Sequence, residues 1–150
     1  MTVSLTQESI DYSSLVEAVR GSASGAVVLF LGTVREMSEG KRVSSLEYET
    51  YPTMAEKKLA EVVEQARGRW PLEDVRVVHR HGHLDLGEIA VAVVTASGHR
   101  AEAFESARWI MDTIKGVVPI WKKENWADGQ ADWVHPGEDR GQGSGDRDQG

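Results

Sequence analysis

No cysteine occurs among the 150 residues, which excludes a disulfide framework, a thiolate metal site and a cysteine nucleophile. No apolar run reaches membrane-spanning length, and the N-terminus lacks the basic, apolar and small-residue order of a secretory signal, so a cytoplasmic protein is expected. Gly32 is not followed by suitably spaced glycines, so there is neither a phosphate loop nor a dinucleotide fingerprint. A Gly-x-Ser-x-Gly nucleophile elbow is also missing. Positive charge is in deficit: 17 Lys and Arg against 24 Asp and Glu leave a formal net charge of -7. That balance argues against a general nucleic-acid binder, which needs a positive field. Neither an internal repeat nor an interdomain linker is visible.

What is present suits one soluble domain with a real core: 40% of residues are hydrophobic and 27% charged, in the usual range for a globular chain. The composition changes at residues 137–150, which hold almost only Gly, Asp, Arg, Gln, Glu and Ser. Such a segment has nothing to bury and is expected to be disordered, leaving a domain over 1–136.

The stretch around which the chain is organised is MDTIKGVVPIWKKE at 111–124. It reads as the end of an amphipathic helix, a stop at Gly116 in the left-handed region, a turn marked by Pro119 and a short strand. Lys115 falls in the last helical turn. Along the strand, period-2 alternation places Lys122 with Val118, Ile120 and Glu124. If that face is buried, Lys122 is a partly desolvated ammonium that calls for an anionic partner. The ordinary reading stands beside it: Lys115 caps carbonyls at the negative end of the helix dipole, and Lys122 is solvated.

Upstream, Asp11, Ser13 and Ser14 cap a short helix within 9–20. The nearly unbroken apolar run at 25–32 reads as a central strand buried on both faces. Arg35 follows it on a polar loop, where binding residues often sit, although on the residues alone a surface arginine paired with Glu36 or Glu39 is the favoured reading. Residues 43–51 alternate Leu46, Tyr48 and Thr50 against Ser45, Glu47 and Glu49 as a strand with one wet face. Pro52 opens a helix over 53–67 whose stripe is Met54, Leu59, Val62, Val63 and Ala66, closed by Gly68 and Pro71. Strands follow around Val75–His79 and over 89–96. A helix over 101–115 has the stripe Phe104, Ala107, Met111 and Ile114, with Arg108, Asp112 and Lys115 beside it. A short strand at 132–134 ends the ordered part.

His79, His81 and His83 alternate on one face of an extended segment. Three such imidazoles can ligate a metal, but zinc sites usually draw ligands from separate elements, and solvated or hydrogen-bonded histidines are the simpler reading. Strands arrive in pairs separated by three helices. An α+β fold of mostly antiparallel pairs is therefore expected, not a doubly wound parallel sheet.

Five blocks stand in order: FLGTVR at 30–35, LEYETYPTMA at 46–55, HRHGHLDLGE at 79–88, HRAEAF at 99–104 and KGVVPIWKKE at 115–124. Together, over about 25–134, they resemble the large, catalytic subunit family of molybdopterin synthase. That resemblance implies an α/β-hammerhead fold and a homodimer within a heterotetramer. It also implies a small β-grasp sulfur-carrier partner whose C-terminal Gly-Gly thiocarboxylate enters the pocket. Sulfur then passes to cyclic pyranopterin monophosphate, giving the dithiolene of molybdopterin, with no metal and no cofactor. By the same resemblance Lys115 and Lys122 are catalytic, and Arg35, His99, Arg100 and Lys123 bind anionic substrate. Phe30 and Met111 line the pocket.

One departure from the family pattern concerns an arginine that often follows the Trp-Val near the C-terminus and reaches the neighbouring subunit's pocket. Here His135, Pro136 and Gly137 follow Trp133 and Val134, and Arg140 is the nearest arginine. The alternatives to the enzyme are a non-catalytic partner-binding module on the same fold and a metal-binding protein built on the His79 face.

Overall fold

The computed structural model describes residues 2–134; the expected domain end at 136, the 137–150 tail and Arg140 lie outside them. In chain order the elements are β1 (Val3–Thr6), α1 (Tyr12–Val19), β2 (Ala26–Thr33), β3 (Met37–Ser38), β4 (Lys41–Thr50) and α2 (Pro52–Arg69). They continue with β5 (Leu72–Arg80), β6 (Gly82–Asp85), β7 (Ile89–Ser97), α3 (Arg100–Val117), β8 (Ile120–Trp126) and β9 (Ala131–Val134). The four-stranded sheet runs β1-β5-β7-β2, and the second runs β3-β4-β8-β9 with β6 also paired to β4. Every pairing is antiparallel except β1 with β5, so the α+β expectation with mostly antiparallel strands and three helices holds.

The alternation of β7 sets the layers. Val91 and Val93 point into the main core with Leu59, Val62 and Val63 of α2 and Ile110 and Ile114 of α3. Val94 and Ala96 point the other way, against Val19 and Leu15 of α1. β2 does the same: Val28 and Phe30 face the main core, Val27 and Leu29 face α1. Both faces are covered, which explains the unbroken apolar run, but β2 is an edge strand of mostly half-buried residues, and β5 and β7 are the inner ones. Apolar continuity reports two covered faces; it says nothing about whether both edges are paired.

Proline delimits both long helices. α2 begins at Pro52 and ends before Trp70-Pro71; α3 ends before Val118-Pro119. Trp70 and Val118 are extended, as the residue before a proline must be to avoid its ring. Gly68 and Gly116, expected as stops, are instead helical, and Gly116 does not enter the left-handed region. Lys115 is still in the last turn. Asp11 caps α1 as expected, accepting from the Ser14 amide at 3.2 Å and its hydroxyl at 2.7 Å.

The α3 stripe is Ala103, Ser106, Ala107, Ile110 and Ile114, and Phe104 is 60% exposed. It shares Ala107 and Ile114 with the expected stripe but is rotated toward Ala103, because the close approach to β7 favours small side chains. The Thr95 hydroxyl reaches the Ala103 carbonyl there at 2.8 Å. Met54, expected in the α2 stripe, is likewise exposed, and Ala55 takes its place.

Candidate active site

A cavity of about 370 Å³ opens where the two sheets meet the C-terminal end of α3. That size suits a small-molecule ligand. Its apolar wall comes from Phe30 and Leu31 of β2, Val91 of β7, and Met111 and Ile114 of α3. Its titratable groups are Arg35 just beyond β2, Tyr48 of β4, His79 of β5, Lys115 of α3 and Lys122 of β8. Five of the residues expected to form a site therefore converge: Phe30, Arg35, Met111, Lys115 and Lys122.

Local structure aims each of them. Met111 and Lys115 are one turn apart on α3 and so share a face. Ile120 is 2% exposed, and alternation carries Lys122 to the same side of β8, opposite Tyr48 of β4. The anionic partner that a desolvated Lys122 calls for is Glu124, 2% exposed, whose carboxylate lies 3.4 Å from the ammonium. The Ser38 hydroxyl donates to the same carboxylate at 3.0 Å. Arg35 proves not to be the partner of Glu36, which pairs with Arg42.

Three cations thus face one partly closed space in a protein of net charge -7. The cost is visible at Lys115: burial, then the charge of Lys122, and further the charge of Arg35, push its ammonium below the usual lysine range, while Asp112 opposes them. Asp112 lies 3.9 Å from Arg108 and so acts between two cations of its helix face. A lysine held this way gives up its proton more readily than a surface one. It can stabilise developing negative charge, donate a proton, or act as an amine nucleophile.

The other polar wall groups stay neutral. Burial, with a contribution from Glu124, pushes the Tyr48 phenol up to about 12. Burial lowers His79 to about 4; the bond of its Nδ1 to the Arg80 carbonyl at 2.7 Å opposes the shift and the charge of His81 adds to it. Tyr48 and His79 meet edge to face with ring centroids 5.2 Å apart.

The three histidines do not share a face. Gly82, at φ +90, breaks the extended run, a backbone state that suits glycine. His79 turns into the core, and His83 lies exposed beside Asp85 at 2.9 Å. Among the described residues no cluster of three or more His, Asp or Glu is placed to hold a metal.

His99, Arg100 and Lys123 do not line the cavity. His99 and Arg100 start α3, and fifteen residues of helix place Arg100 roughly 22 Å from Lys115 along the axis. Lys123 points to the opposite side of β8, with its ammonium 5.8 Å from the centre of the Trp133 ring. Tyr48, His79 and Glu124 were not anticipated at the site. The alternation of Leu46, Tyr48 and Thr50 was the available signal for Tyr48, and the shared face of Lys122 and Glu124 was the signal for the ion pair.

Fold and cavity together define a two-sheet α+β domain with a cation-lined pocket of small-molecule size. A family model described as MoaE protein matches residues 5–117. A molybdopterin synthase catalytic subunit of Halalkalibacterium halodurans is 42% identical over 130 residues, covering 87% of this chain and 83% of that protein. One from Staphylococcus carnosus is 49% identical over 110 residues, 73% of each. The crystal structure of molybdopterin synthase from Staphylococcus aureus superposes with a TM-score of 0.82 at 40% identity, covering 87% of this chain and 94% of that one. This chain belongs to the MoaE family. A complex of subunits 1 and 2 of molybdopterin-converting factor from Helicobacter pylori shares the fold, with a TM-score of 0.70 at 18% identity over 89% of this chain and 88% of that one.

Proposed function

We propose that this chain is the catalytic subunit of a molybdopterin synthase. It moves sulfur from the C-terminal thiocarboxylate of a small β-grasp partner to cyclic pyranopterin monophosphate in the cytoplasm. The observation that carries this reading is the convergence of Lys115, Lys122 and Arg35 on one cavity. Both reactants are anionic, one through a cyclic phosphate and the other through its terminal thiocarboxylate. An acidic protein can hold them together only where cations are concentrated.

The geometry supports the following assignment of roles. Arg35 offers a planar fork to phosphate oxygens, whereas the lysines act as point charges. Lys122, anchored by Glu124, holds an anion in place. Lys115, whose proton is more labile than that of an ordinary lysine, stabilises charge developing on the acyl oxygen or on a displaced oxygen, or donates to it. A Gly-Gly tail has almost no side chains to clear and can pass along the apolar wall of Phe30 and Met111. His99 and Arg100 lie too far along α3 to serve this cavity, so they can serve such a site only in a second copy of the chain. That agrees with the homodimer the family resemblance implies.

The test is a single-turnover assay with thiocarboxylated partner and cyclic pterin, both saturating. Lys115→Ala should lower the rate by about 100-fold or more, the scale of a lost acid–base or oxyanion group. Lys115→Arg should not restore it, because arginine keeps the charge but does not release the proton. A near-normal rate in folded Lys115→Ala would refute the assignment, and full rescue by arginine would reduce Lys115 to an electrostatic anchor.

A further inference from the structure

The HRHGHLDLGE block at 79–88 contributes only His79 to the cavity, yet it contains a buried arginine whose contacts lead directly to the site. Arg80 has a side chain 8% exposed and ion-paired to Glu88. Its Nη2 donates to the carbonyls of Gln7 at 2.9 Å and His83 at 3.3 Å. One guanidinium therefore ties the chain after β1, the strand β6 and the start of β7 to a single point. A buried arginine needs such partners, and its planar fork can satisfy several at once.

Glu88, held there by its side chain, also acts through its backbone. Its carbonyl accepts from the Val34 amide at 3.0 Å, and the Gly87 amide donates to the Val34 carbonyl at 2.7 Å. Gly87 can present its amide this way because it adopts φ +83, the left-handed region. Val34 is thus clasped on both backbone groups by the β6–β7 turn, and its side chain is fixed in the second core with Leu84 and Trp126. The next residue is Arg35, one of the three cations of the cavity. On its far side the Glu36 carbonyl accepts from the Val43 amide at 2.7 Å.

We propose that Arg80 and Glu88 are positioning residues for Arg35. Their ion pair fixes the turn that clasps Val34, and so fixes where the Arg35 guanidinium stands over the cavity. This rests on the reading above, in which Arg35 grips the anionic pterin. A guanidinium on an exposed loop would otherwise sample many positions, and a fork bonds phosphate well only when its direction is set.

The experiment is a double-mutant cycle with wild type, Glu88→Gln, Arg35→Ala and the double variant. For each, the KM for cyclic pterin and the saturated single-turnover rate are read, with the thermal midpoint as a control. Glu88→Gln keeps size and an acceptor oxygen but removes the charge facing Arg80. It should raise KM about tenfold, with the saturated rate changed less than about threefold, since a misplaced binding group costs affinity before chemistry. In the Arg35→Ala background the same change should alter KM by less than about twofold, because residues acting through one group are not additive.

If Glu88→Gln lowers the thermal midpoint but leaves KM at the wild-type value, the pair is merely structural and the proposal is overturned. If it raises KM by the same factor without Arg35, the link to Arg35 is overturned while the reading of the cavity stands. An unchanged KM in Arg35→Ala alone overturns the proposal at its root, in the assignment of Arg35 to the substrate. Should Glu88→Gln not fold, Arg80→Lys keeps the charge but loses the bonds to Gln7 and His83, and the same cycle with it carries the same outcomes.

Discussion

Replacing His79 with glutamine should remove one identifiable part of the protein's acid sensitivity. The wild-type imidazole is buried between Tyr48 and the Arg80 carbonyl, and burial lowers its pKa from 6.5 to about 4. Between those two values the unfolded chain binds the proton and the folded chain does not. Stability must therefore fall as the pH drops from about 6.5 toward 4, and then level off with respect to this group. A difference of roughly 2.5 units at 1.36 kcal/mol each gives about 3 kcal/mol across the whole window, of which about 2 kcal/mol is already lost by pH 5. Glutamine is neutral, and its amide can still donate to the Arg80 carbonyl. It carries a constant packing penalty but no such pH term. Urea unfolding of both proteins at pH 7.5 and pH 5, at fixed protein concentration and ionic strength, isolates the term, since urea adds no screening ions. The stability of wild type relative to His79→Gln should drop by about 2 kcal/mol between those pH values. Parallel pH curves would show that His79 does not stay neutral in the fold. The same neutrality matters for function, because a protonated His79 would add a fourth positive charge to the wall of a cavity that already holds three cations.

Lys122→Ala should raise the pterin KM more than it lowers the saturated single-turnover rate. It should also cost about 1–3 kcal/mol of stability, because Glu124 stays buried without its cation; a pure loss of rate with KM unchanged would contradict the anchoring role. Lys115→Met should abolish turnover yet stabilise the fold at neutral pH. The folded pKa of Lys115 is lowered, so the wild-type penalty is fully present below that value and disappears as the pH rises toward the unfolded value near 10.5. Denaturation at pH 7 and pH 10 checks this, and a loss of stability at pH 7 would count against it. Adding one residue after the partner's terminal glycine should block sulfur delivery. Delivery at the normal rate would contradict a tail inserted into the cavity.

The chain shows which of its features can be read locally. Pro52, Pro71 and Pro119 mark helix boundaries whatever the surroundings, because the ring removes a donor and clashes with its neighbour. Gly68 and Gly116 were misleading because glycine permits a left-handed stop without requiring one. In the last turn of a helix it costs only about 1 kcal/mol relative to alanine, which packing elsewhere can offset. Phe104 was misplaced for a similar reason: two stripes rotated by one residue both satisfy helical spacing. The choice between them was made by Thr95 and the close approach of β7 to Ala103. β1 was missed altogether. Its four residues pair in parallel with β5, Val3 opposite Val77, and no local pattern announces a partner that distant.

The site divides along the same line. The lysines were legible because they lie seven residues apart around a helix end, a turn and a strand, so local geometry already sends both toward one side. Arg35 was not legible on its own, because a loop arginine beside Glu36 pairs with it in most settings. Here Arg42 takes Glu36, and the clasp on Val34 turns Arg35 to the cavity. Tyr48 and His79 were readable as inward-facing, but only the meeting of the two sheets decides that inward at those positions means the wall of a cavity. Their neutrality has a consequence for the chemistry. Two buried polar groups that carry no charge bound the cavity without screening its cations, Glu124 pairs with Lys122, and Asp112 offsets only part of what disfavours the charge on Lys115. Burial and the neighbouring cations still disfavour the charge on Lys115, and an incoming anion relieves that strain by supplying countercharge. Binding of either reactant should therefore raise the Lys115 pKa and hold in place the proton it needs as an acid. The cation cluster in this way couples occupancy of the pocket to readiness for the chemical step.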